Sequence, residues 1–509
     1  MPKPKQLLKG SKSKRKVKNA EPETADEYLA GGIELEEAGE KWRAGDAVKS
    51  MRFFMRAIEM YDTGLKRFPN SFDLAYNKAR IQYEITQHPK LVTQLTAPIV
   101  EILHIALKSH RHALALQQDN ADILFNTAQV LTSLAEAITE GRRASEQDTH
   151  EASRYLQEAL DLFQRCLSVQ ELQFTEGQEK QADSMAESGE LQVGEQQGHS
   201  EADREGMEGT ARPEQSEQWA AIIEPVTKDT LVDTAVAQLE TLATFCGLLT
   251  FDTGNTLAWI EEYSGDLLRE KIAAYVEGTD RQSEVALARA KFVSTLAEMS
   301  FRSGRVDFGT YKNELSGAFA DVKDLSEKPA ALCTQADALI AFNSAMADCE
   351  QPDNKEVFDR LLALRWQALS SALDSLTAAT KLCQAENLPK IHLARGDVEM
   401  YRWRLGGQPW NYQVSLENSL TLLRNAQTYY RGAAGLARRD GSIELDREGT
   451  AKEALAFALS GDMQRMEGLV ASSKKELMQI AEDMVEDGLV SQEDMDGLFR
   501  KVDPDEIVF

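Results

Sequence analysis

The strongest constraint on this chain is a helical pattern that repeats along most of its length. Segments of about 17–30 residues carry apolar residues at helical spacing, and each ends at a short polar, glycine or proline break. No window alternates apolar and polar residues as a half-buried strand would. Helices are predicted over 26–44, 46–66, 71–86, 91–116, 121–140, 150–169, 229–251, 255–276, 281–303, 307–326, 329–348, 355–384, 388–405 and 412–437. The pattern therefore predicts an all-α chain of helix pairs, followed by a helical cap from about residue 447.

Two junctions between these segments are nearly alike. The first reads Pro69-Asn-Ser-Phe-Asp-Leu-Ala-Tyr76-Asn77-Lys-Ala79, and the second reads Asp119-Asn-Ala-Asp-Ile-Leu-Phe125-Asn126-Thr-Ala128. Within the first hairpin, small residues and one aromatic recur at fixed positions: Ala38, Gly45, Asp46, Ser50, Phe54 and Ala57. These motifs resemble the tetratricopeptide repeat (TPR), in which small residues let two helices approach and an aromatic fills the groove between them. The resemblance implies a solenoid of stacked hairpins.

The match to the TPR pattern is close only over about 35–130. The family's unit is about 34 residues long. Here twelve residues separate Ala57 from Pro69, which is roughly seven more than the pattern expects, and seven residues add two helical turns. Beyond residue 130 the resemblance rests on the rhythm of hairpins, and the later pairs fit generic helical repeats equally well.

The resemblance implies a right-handed superhelix of antiparallel helix hairpins, a TPR-like solenoid with a disordered acidic insertion and a C-terminal helical cap. Its parts are expected to be a disordered basic arm (1–25), hairpins 1–3 (26–170), a disordered acidic loop (171–217), hairpins 4–7 (218–440), and an acidic helical cap and tail (441–509). No coiled coil is expected.

Charge is the most unusual bulk property of the chain. Lysine and arginine number 57 against 83 aspartates and glutamates, a net charge of −26. Residues 171–217 hold thirteen acids and three bases with few large apolar residues, a composition typical of disorder. Such a chain repels nucleic acid and anionic membrane and favours a basic protein as partner. The alternative is that the charge serves solubility alone.

The C-terminal segment 476–509 has eleven acids and two bases, spread over amphipathic stretches. It is interpreted either as a helix that docks on the last hairpin or as an acidic tail that shields the groove or holds a client. We favour the docked helix over 463–499, because repeat arrays need a polar-faced terminal unit.

The N-terminal segment is basic, since eight lysines and arginines precede the first acid, Glu21. The run from Lys12 to Lys18 matches a nuclear-targeting signal, and the alternative is a disordered arm without an address. Five widely spaced cysteines without a C-x-x-C pair indicate buried thiols in a reducing compartment. No apolar run approaches 18 residues, so neither a membrane span nor a secretory signal is predicted. The expected location is the nucleus, the cytoplasm or both.

No motif for catalysis, a cofactor or a metal was found, so we expect a protein that is not an enzyme. Residues 492–503 superficially resemble a calcium loop, but Gln492 and Asp503 stand where that loop needs an acid and a bidentate glutamate. One helix face collects His104, Lys108, Arg111 and His112. These four are interpreted as a basic solvated rim and not as metal ligands.

A concave groove lined by the first helix of each hairpin is the expected binding surface. Candidate protein-binding residues in it are Tyr76, Asn77, Arg80, Phe125, Asn126 and Gln129. A second candidate is the aromatic and basic cluster around Trp403 and Trp410, because Trp, Tyr and Arg dominate interface hot spots. The alternative for that cluster is a structural corner at Gly406, Gly407 and Pro409.

Two functions remain open from the sequence. The first is a chaperone or escort that holds a basic client, such as a ribosomal protein or a histone, in the groove. The second is a scaffold or adaptor subunit of a multiprotein complex. A family specialisation clamps acidic C-terminal peptides of heat-shock chaperones, but Leu35 and Gly39 stand at its Lys and Asn positions and only Asn77 matches, so that function is disfavoured.

Overall fold

The structure is a computed structural model that describes residues 22–140, 145–190, 225–249, 255–349, 354–383, 385 and 387–502. Within these ranges every regular element is a helix, so the predicted all-α class is confirmed. None of these helices combines the length and apolar character that a membrane span requires. The chain divides into two compact units, the first comprising Met1–Thr241 with Glu270–Thr279 and the second Leu242–Arg269 with Asp280–Phe509.

The helices follow one another with short connections. In chain order they are α1 (Ala25–Arg43), α2 (Ala47–Arg67), α3 (Phe72–Glu84), α4 (Pro89–Val92), α5 (Ile99–Leu116), α6 (Ala121–Thr139), α7 (Glu146–Glu190), α8 (Lys228–Leu248), α9 (Asn255–Asp266), α10 (Ile272–Val276), α11 (Gln282–Arg302), α12 (Phe308–Ala320), α13 (Pro329–Ala347), α14 (Lys355–Ala379), α15 (Leu388–Arg404), α16 (Gln413–Asp440), α17 (Ile443–Leu459), α18 (Gln464–Glu486) and α19 (Gln492–Val502). A π-helical turn, Leu267–Lys271, joins α9 to α10.

Side-chain caps explain where several helices begin. Thr24 and Glu27 form a capping box at the start of α1, in which the backbone N–H of Glu27 donates to the Thr24 hydroxyl at 3.2 Å. Asp46 accepts from the backbone N–H of Lys49 at 2.9 Å and begins α2. Asn120 caps α6 in the same way. Each cap satisfies an N–H that the helix itself leaves unpaired.

In the first unit, helices contact both their chain neighbours and the helix two or three places along. Pairs in contact are α1 with α2, α3 with α5, α5 with α6, and α6 with α7, while α1 also contacts α3 and α3 contacts α6. Phe54, Tyr61 and Leu74 are fully buried in this packing. The ring of Tyr61 lies so close to α1 that a Cβ added at Gly32 would come within 2.1 Å of it.

In the second unit, the chain from α11 to α17 packs in the same sequential manner. The C-terminal helix α19 buries Met495, Leu498 and Phe499 in a core that it shares with α17 and α18. An irregular residue, Ser473 (φ −148°, ψ 41°), bends α18. Residues 464–502 are therefore held to the unit by apolar contacts.

The predicted helix over 91–116 is two helices in the structure, which is a correction. Helix α4 ends at Val92, and α5 begins at Ile99, directly after Pro98. Proline has no N–H to donate and disfavours helical backbone in the residue before it. A helix can therefore start after Pro98 but cannot run through it.

The predicted acidic loop also differs at its start, because α7 continues to Glu190. Residues 171–190 are rich in Glu, Gln, Lys, Ala and Met, which are good helix formers. Glu171 is moreover held by Lys271, whose ammonium lies 3.0 Å from the carboxylate, and by a hydrogen bond from the Tyr275 hydroxyl. The prediction of disorder is thus wrong for residues 171–190, which are helical. The rest of the predicted acidic loop, 191–217, and residues 1–21 of the predicted basic arm lie outside the described residues.

His110 is a fully buried titratable group in the first unit. Its Nδ1 lies 2.8 Å from the carbonyl oxygen of Ala106, to which the Nδ1–H tautomer donates, and Nε2 has no hydrogen-bond partner in the described ranges. Burial lowers the pKa of His110 from 6.5 to about 4. As pH falls below 6.5, His110 takes up a proton in the unfolded chain but not in the folded chain. The free energy of unfolding therefore decreases as pH falls from 6.5 to about 4.

We expect His110 to lower the free energy of unfolding by about 3 kcal/mol between pH 7.5 and pH 4. The variant His110→Phe should lack this component, so that its stability falls less over the same range. Urea denaturation at several pH values measures the difference. His112→Phe, at an exposed position of the same helix, is the control, and an equal flattening in both variants would contradict the assignment.

Candidate functional site

The candidate groove residues of the first unit lie on α3 and α6. They are Tyr76, Asn77 and Arg80 on α3, and Phe125, Asn126 and Gln129 on α6. The structure joins the two sets, because the Asn126 amide donates to the Tyr76 hydroxyl at 3.1 Å. Phe125 and Asn126 are buried, the former against Phe163 with ring centroids 5.5 Å apart. These two therefore pack the interior, whereas the other four are half-buried.

Arg80 is the centre of a charge network between α1 and α3. Its guanidinium donates to Glu36 and, at 2.9 Å, to Glu84. Glu36 also accepts from the Tyr61 hydroxyl at 2.6 Å. Burial raises the pKa of Glu36, and Arg80 opposes that rise. Arg80 is thus engaged within the protein, and a ligand would have to compete with two carboxylates for it.

Asn77 and Gln129 make lighter contacts. The Asn77 amide donates to the backbone carbonyl of Asp73 at 2.8 Å. The backbone carbonyl of Gln129 accepts from the Tyr83 hydroxyl at 3.4 Å, and the Gln129 side-chain amide forms no hydrogen bond with any residue in the described ranges. Asn77 and Gln129 are therefore the candidates best placed to reach a ligand.

Helix α1 carries several exposed carboxylates. The exposed acids of this helix are Asp26, Glu27, Glu34, Glu37 and Glu40. Glu27 is used in the capping box. The carboxylates of Glu34, Glu37 and Glu40 form no ion pair with any residue in the described ranges. The exposed surface of α1 is consequently strongly negative.

The second candidate cluster belongs to the second unit and is held by packing. The Trp403 indole donates to the Ser419 hydroxyl at 3.0 Å. Trp410 follows a cis Gln408–Pro409 bond, and its ring carries the guanidiniums of Arg365 and Arg404 at 4.2 Å and 4.6 Å. Both indoles are half-buried. These contacts are the kind expected if the cluster packs the turn between two helices. A role in protein binding stays a prediction.

Arg365 shows how tightly this corner is closed. It is 3% exposed, and its Nε donates to the Asn343 side chain at 3.0 Å. Burial and the nearby Arg404 lower the pKa of Arg365 to about 10. The stacked Trp410 ring supplies part of the stabilisation that a carboxylate would otherwise give.

A buried network that the sequence did not reveal lies between α15, α16 and α17. Lys452 is 1% exposed, and its ammonium lies 2.9 Å from Asp397 and 2.9 Å from Glu448. The Tyr430 hydroxyl donates to Asp397 at 2.7 Å. Burial alone would lower the pKa of Lys452, but the two carboxylates outweigh it and raise the pKa. Lysines abound at exposed positions of helices, so nothing in the sequence pattern distinguished this one.

The described ranges also locate the residues considered as metal ligands and the cysteines. No group of three or more His, Cys, Asp or Glu there could hold a metal ion. The segment from Gln492 is helical, and Asp494 accepts from the Ser491 hydroxyl at 2.5 Å as a helix cap. Cys349 and Cys383 are exposed, which corrects the expectation that all five thiols are buried. Both follow the last turn of a helix, where the chain leaves the core.

Comparisons with known proteins give a relative of similar length and distantly similar solved structures. No family model matches the chain. The UPF0656 protein C926.02 of Schizosaccharomyces pombe is 27% identical over 437 residues, which cover 84% of this chain and 87% of that protein. A solved "Circular tandem repeat protein with novel repeat topology and enhanced subunit contact surfaces" is 14% identical with a TM-score of 0.29, over 91% of this chain and 99% of the other. The helical class of this chain rests on its own helices.

Proposed function

We propose that this chain is a non-enzymatic helical repeat protein that escorts a basic client, such as a ribosomal protein or a histone. The proposal includes the finer architecture, in which antiparallel TPR-like hairpins stack into a right-handed superhelix and their first helices line a groove. It also includes localisation to the nucleus or the cytoplasm, with the basic N-terminal arm as a nuclear-targeting signal.

The observation that carries the proposal is the set of exposed carboxylates on α1. Glu34, Glu37 and Glu40 recur at helical spacing and have no cationic partner in the described ranges. Glu40 lies near the cluster of Arg43, Glu84 and His88. Burial lowers the pKa of His88, and the carboxylates of Glu84 and Glu40 oppose that shift. Unpaired carboxylates on a fixed helix attract a cationic segment and accelerate its encounter with the protein.

The acidic stretch 191–217 supports the same proposal from the sequence. It holds seven acids and two bases, a net charge of −5. A segment of this composition raises the local concentration of a basic chain and competes with nucleic acid for it. The client would then be shielded until it is delivered.

A scaffold or adaptor function is the second candidate, and one observation favours it. Leu416 is 47% exposed and Leu420 is 61% exposed, and the two stand one turn apart on α16. Exposed leucines in adjacent turns are suited to an apolar helix of another subunit. In that case binding would depend little on salt.

We expect the intact chain to retain one or a few basic proteins from cell extract at low salt and to release them at moderate salt. The measurement is affinity capture with identification of the bound proteins by mass spectrometry. Binding should weaken at least about ten-fold when exposed charges are screened. The triple variant Glu34→Gln, Glu37→Gln, Glu40→Gln and a variant with 191–217 replaced by a neutral linker of equal length should each lose affinity.

The control is Glu314→Gln with Asp321→Asn, which also removes exposed carboxylates but lies in the second unit. Replacing only 191–217 leaves α7 and the contacts of Glu171 intact. A salt-resistant set of neutral or acidic proteins, captured equally by all variants, would replace the escort proposal with the scaffold.

A further inference from the structure

The outward face of α2 differs in charge from the rest of this acidic chain. Its members recur at i, i+1, i+4, i+7 and i+8, the spacing of one helix face. We define the α2 face as Val48, Lys49, Arg52, Met55 and Arg56. It holds three cations and no acid, and the next exposed acid along the helix is Glu59.

Two aliphatic side chains of the α2 face are open to solvent. Val48 is 57% exposed and Met55 is 51% exposed. Both flank Arg52, one turn before it and one turn after it. Water therefore contacts apolar side chains that alternate with cations along the helix. Burying these two against a partner would release ordered water and favour binding.

The two arginines of the α2 face are not used within the described protein. Neither Arg52 nor Arg56 forms a hydrogen bond or ion pair with any residue in the described ranges, and Arg56 only lies 6.0 Å from the ring of Phe53. Arg80, by contrast, is shared between Glu36 and Glu84. In a chain with 83 acids against 57 bases, two unpaired guanidiniums in successive turns form a local cationic surface.

We propose that the α2 face is a docking site for an acidic amphipathic helix of a partner protein. Guanidiniums bind carboxylates in a bidentate manner, and the exposed valine and methionine match aliphatic side chains at helical spacing on such a partner. The flexible methionine adapts to different apolar surfaces.

Charge and apolar character together favour a protein over the other anionic partners. A nucleic acid has no aliphatic side chains to cover Val48 and Met55. An extended polyanion or an anionic bilayer would also meet the repulsion of a chain with net charge −26. A short acidic helix is attracted locally by α2 and extends little beyond it. This surface is opposite in sign to the carboxylates of α1, so the inference stands apart from the escort proposal.

The test uses the full chain and a fluorescent synthetic peptide. The probe is a helix of about 18 residues made of glutamate and leucine, with all leucines on one face. Comparison ligands are a scrambled peptide of the same composition, an RNA of equal charge and vesicles that contain phosphatidylserine. Fluorescence anisotropy measures binding of the peptides and RNA, and co-sedimentation measures binding to vesicles.

We expect the amphipathic peptide to bind more tightly than every comparison ligand. Arg52→Glu with Arg56→Glu should weaken this binding by about ten-fold or more. Met55→Ser should weaken it by a smaller factor. Lys312→Glu with Lys323→Glu, an equal change of charge at exposed positions of the second unit, should leave it unchanged. Circular dichroism of the milder Arg52→Gln with Arg56→Gln variant, which should also lose affinity, verifies that the fold is retained.

Three results would overturn the proposal. Equal binding of the scrambled peptide would remove the apolar component. Tighter binding of RNA or vesicles through the same arginines would assign the α2 face to a different class of partner. Equal loss of binding in the Lys312 and Lys323 control would show that only net charge matters.

Discussion

Replacement of Gly32 by alanine is expected to lower the free energy of unfolding by about 3 kcal/mol. An added Cβ at this position would lie 2.1 Å from the ring of Tyr61, and that ring is fully buried between α1 and α2. A buried ring cannot move aside as the end of a flexible side chain can, so the two helices must separate. Tyr61 would then lose its 2.6 Å hydrogen bond to Glu36.

The neighbouring glycine supplies the control for this prediction. At Gly31 the atoms nearest to an added Cβ belong to Met60, at 3.6 Å or more, which is an ordinary contact. Gly31→Ala should therefore gain helix propensity and raise stability by about 0.5–1 kcal/mol. Urea denaturation and hydrogen–deuterium exchange of peptides from α1 and α2 measure both variants. Equal effects of the two substitutions would show that the close approach of Tyr61 does not constrain the packing of α1 against α2.

The helical architecture was largely predictable because it depends on periodicity. Most predicted helices after residue 217 correspond to one observed helix, for example 281–303 to α11 and 388–405 to α15, whereas 255–276 comprises α9, the π-helical turn and α10. The exceptions have local causes. Pro98 divides one predicted helix in two, and good helix formers with the Glu171 contacts extend α7.

The points of closest helix contact were less predictable than the helices. The TPR pattern drew attention to Ala38 and Gly45 as small residues, whereas the structure places the Tyr61 ring against Gly32 and the Phe54 ring against Gly39. Among the described residues, a Cβ added at Gly45 would meet no atom within 4 Å beyond its own chain neighbours. Spacing identifies the pair of helices that approach, but the position of contact depends on how far each aromatic side chain reaches.

The candidate groove shows the same limit of sequence reasoning. Residue type and spacing led to Tyr76 and Arg80, and both lie at contacts of α3 with another helix, α6 and α1 respectively. Their partners come from other helices, Asn126 and Glu36, which spacing along one helix cannot reveal. Burial then separates Phe125, which packs, from Gln129, which remains accessible. The charge of the α2 face could be read from the sequence, but its exposure and its unpaired arginines could not.

Replacement of Lys452 by methionine is expected to lower the free energy of unfolding by about 4 kcal/mol. The ammonium lies 2.9 Å from Asp397 and is inaccessible to solvent. Its removal leaves the Asp397 carboxylate with the Tyr430 hydroxyl as donor in place of a full charge. The raised pKa of Lys452 means that the folded state holds this proton more tightly than the unfolded state. Its stabilisation is therefore complete below pH 10.5, the unfolded value, and is lost only as pH rises through the folded pKa.

The matched pair for this prediction is Lys475→Met, at an exposed position of α18, which should change stability by no more than about 0.5 kcal/mol. The double variant Lys452→Met with Asp397→Asn should recover part of the loss, because it removes the uncompensated charge as well. Urea denaturation at pH 6 and pH 9 should give the same difference between wild type and Lys452→Met. A difference that shrinks markedly by pH 9 would mean that Lys452 loses its proton in the folded protein, and that Asp397 and Glu448 do not hold it as their distances imply.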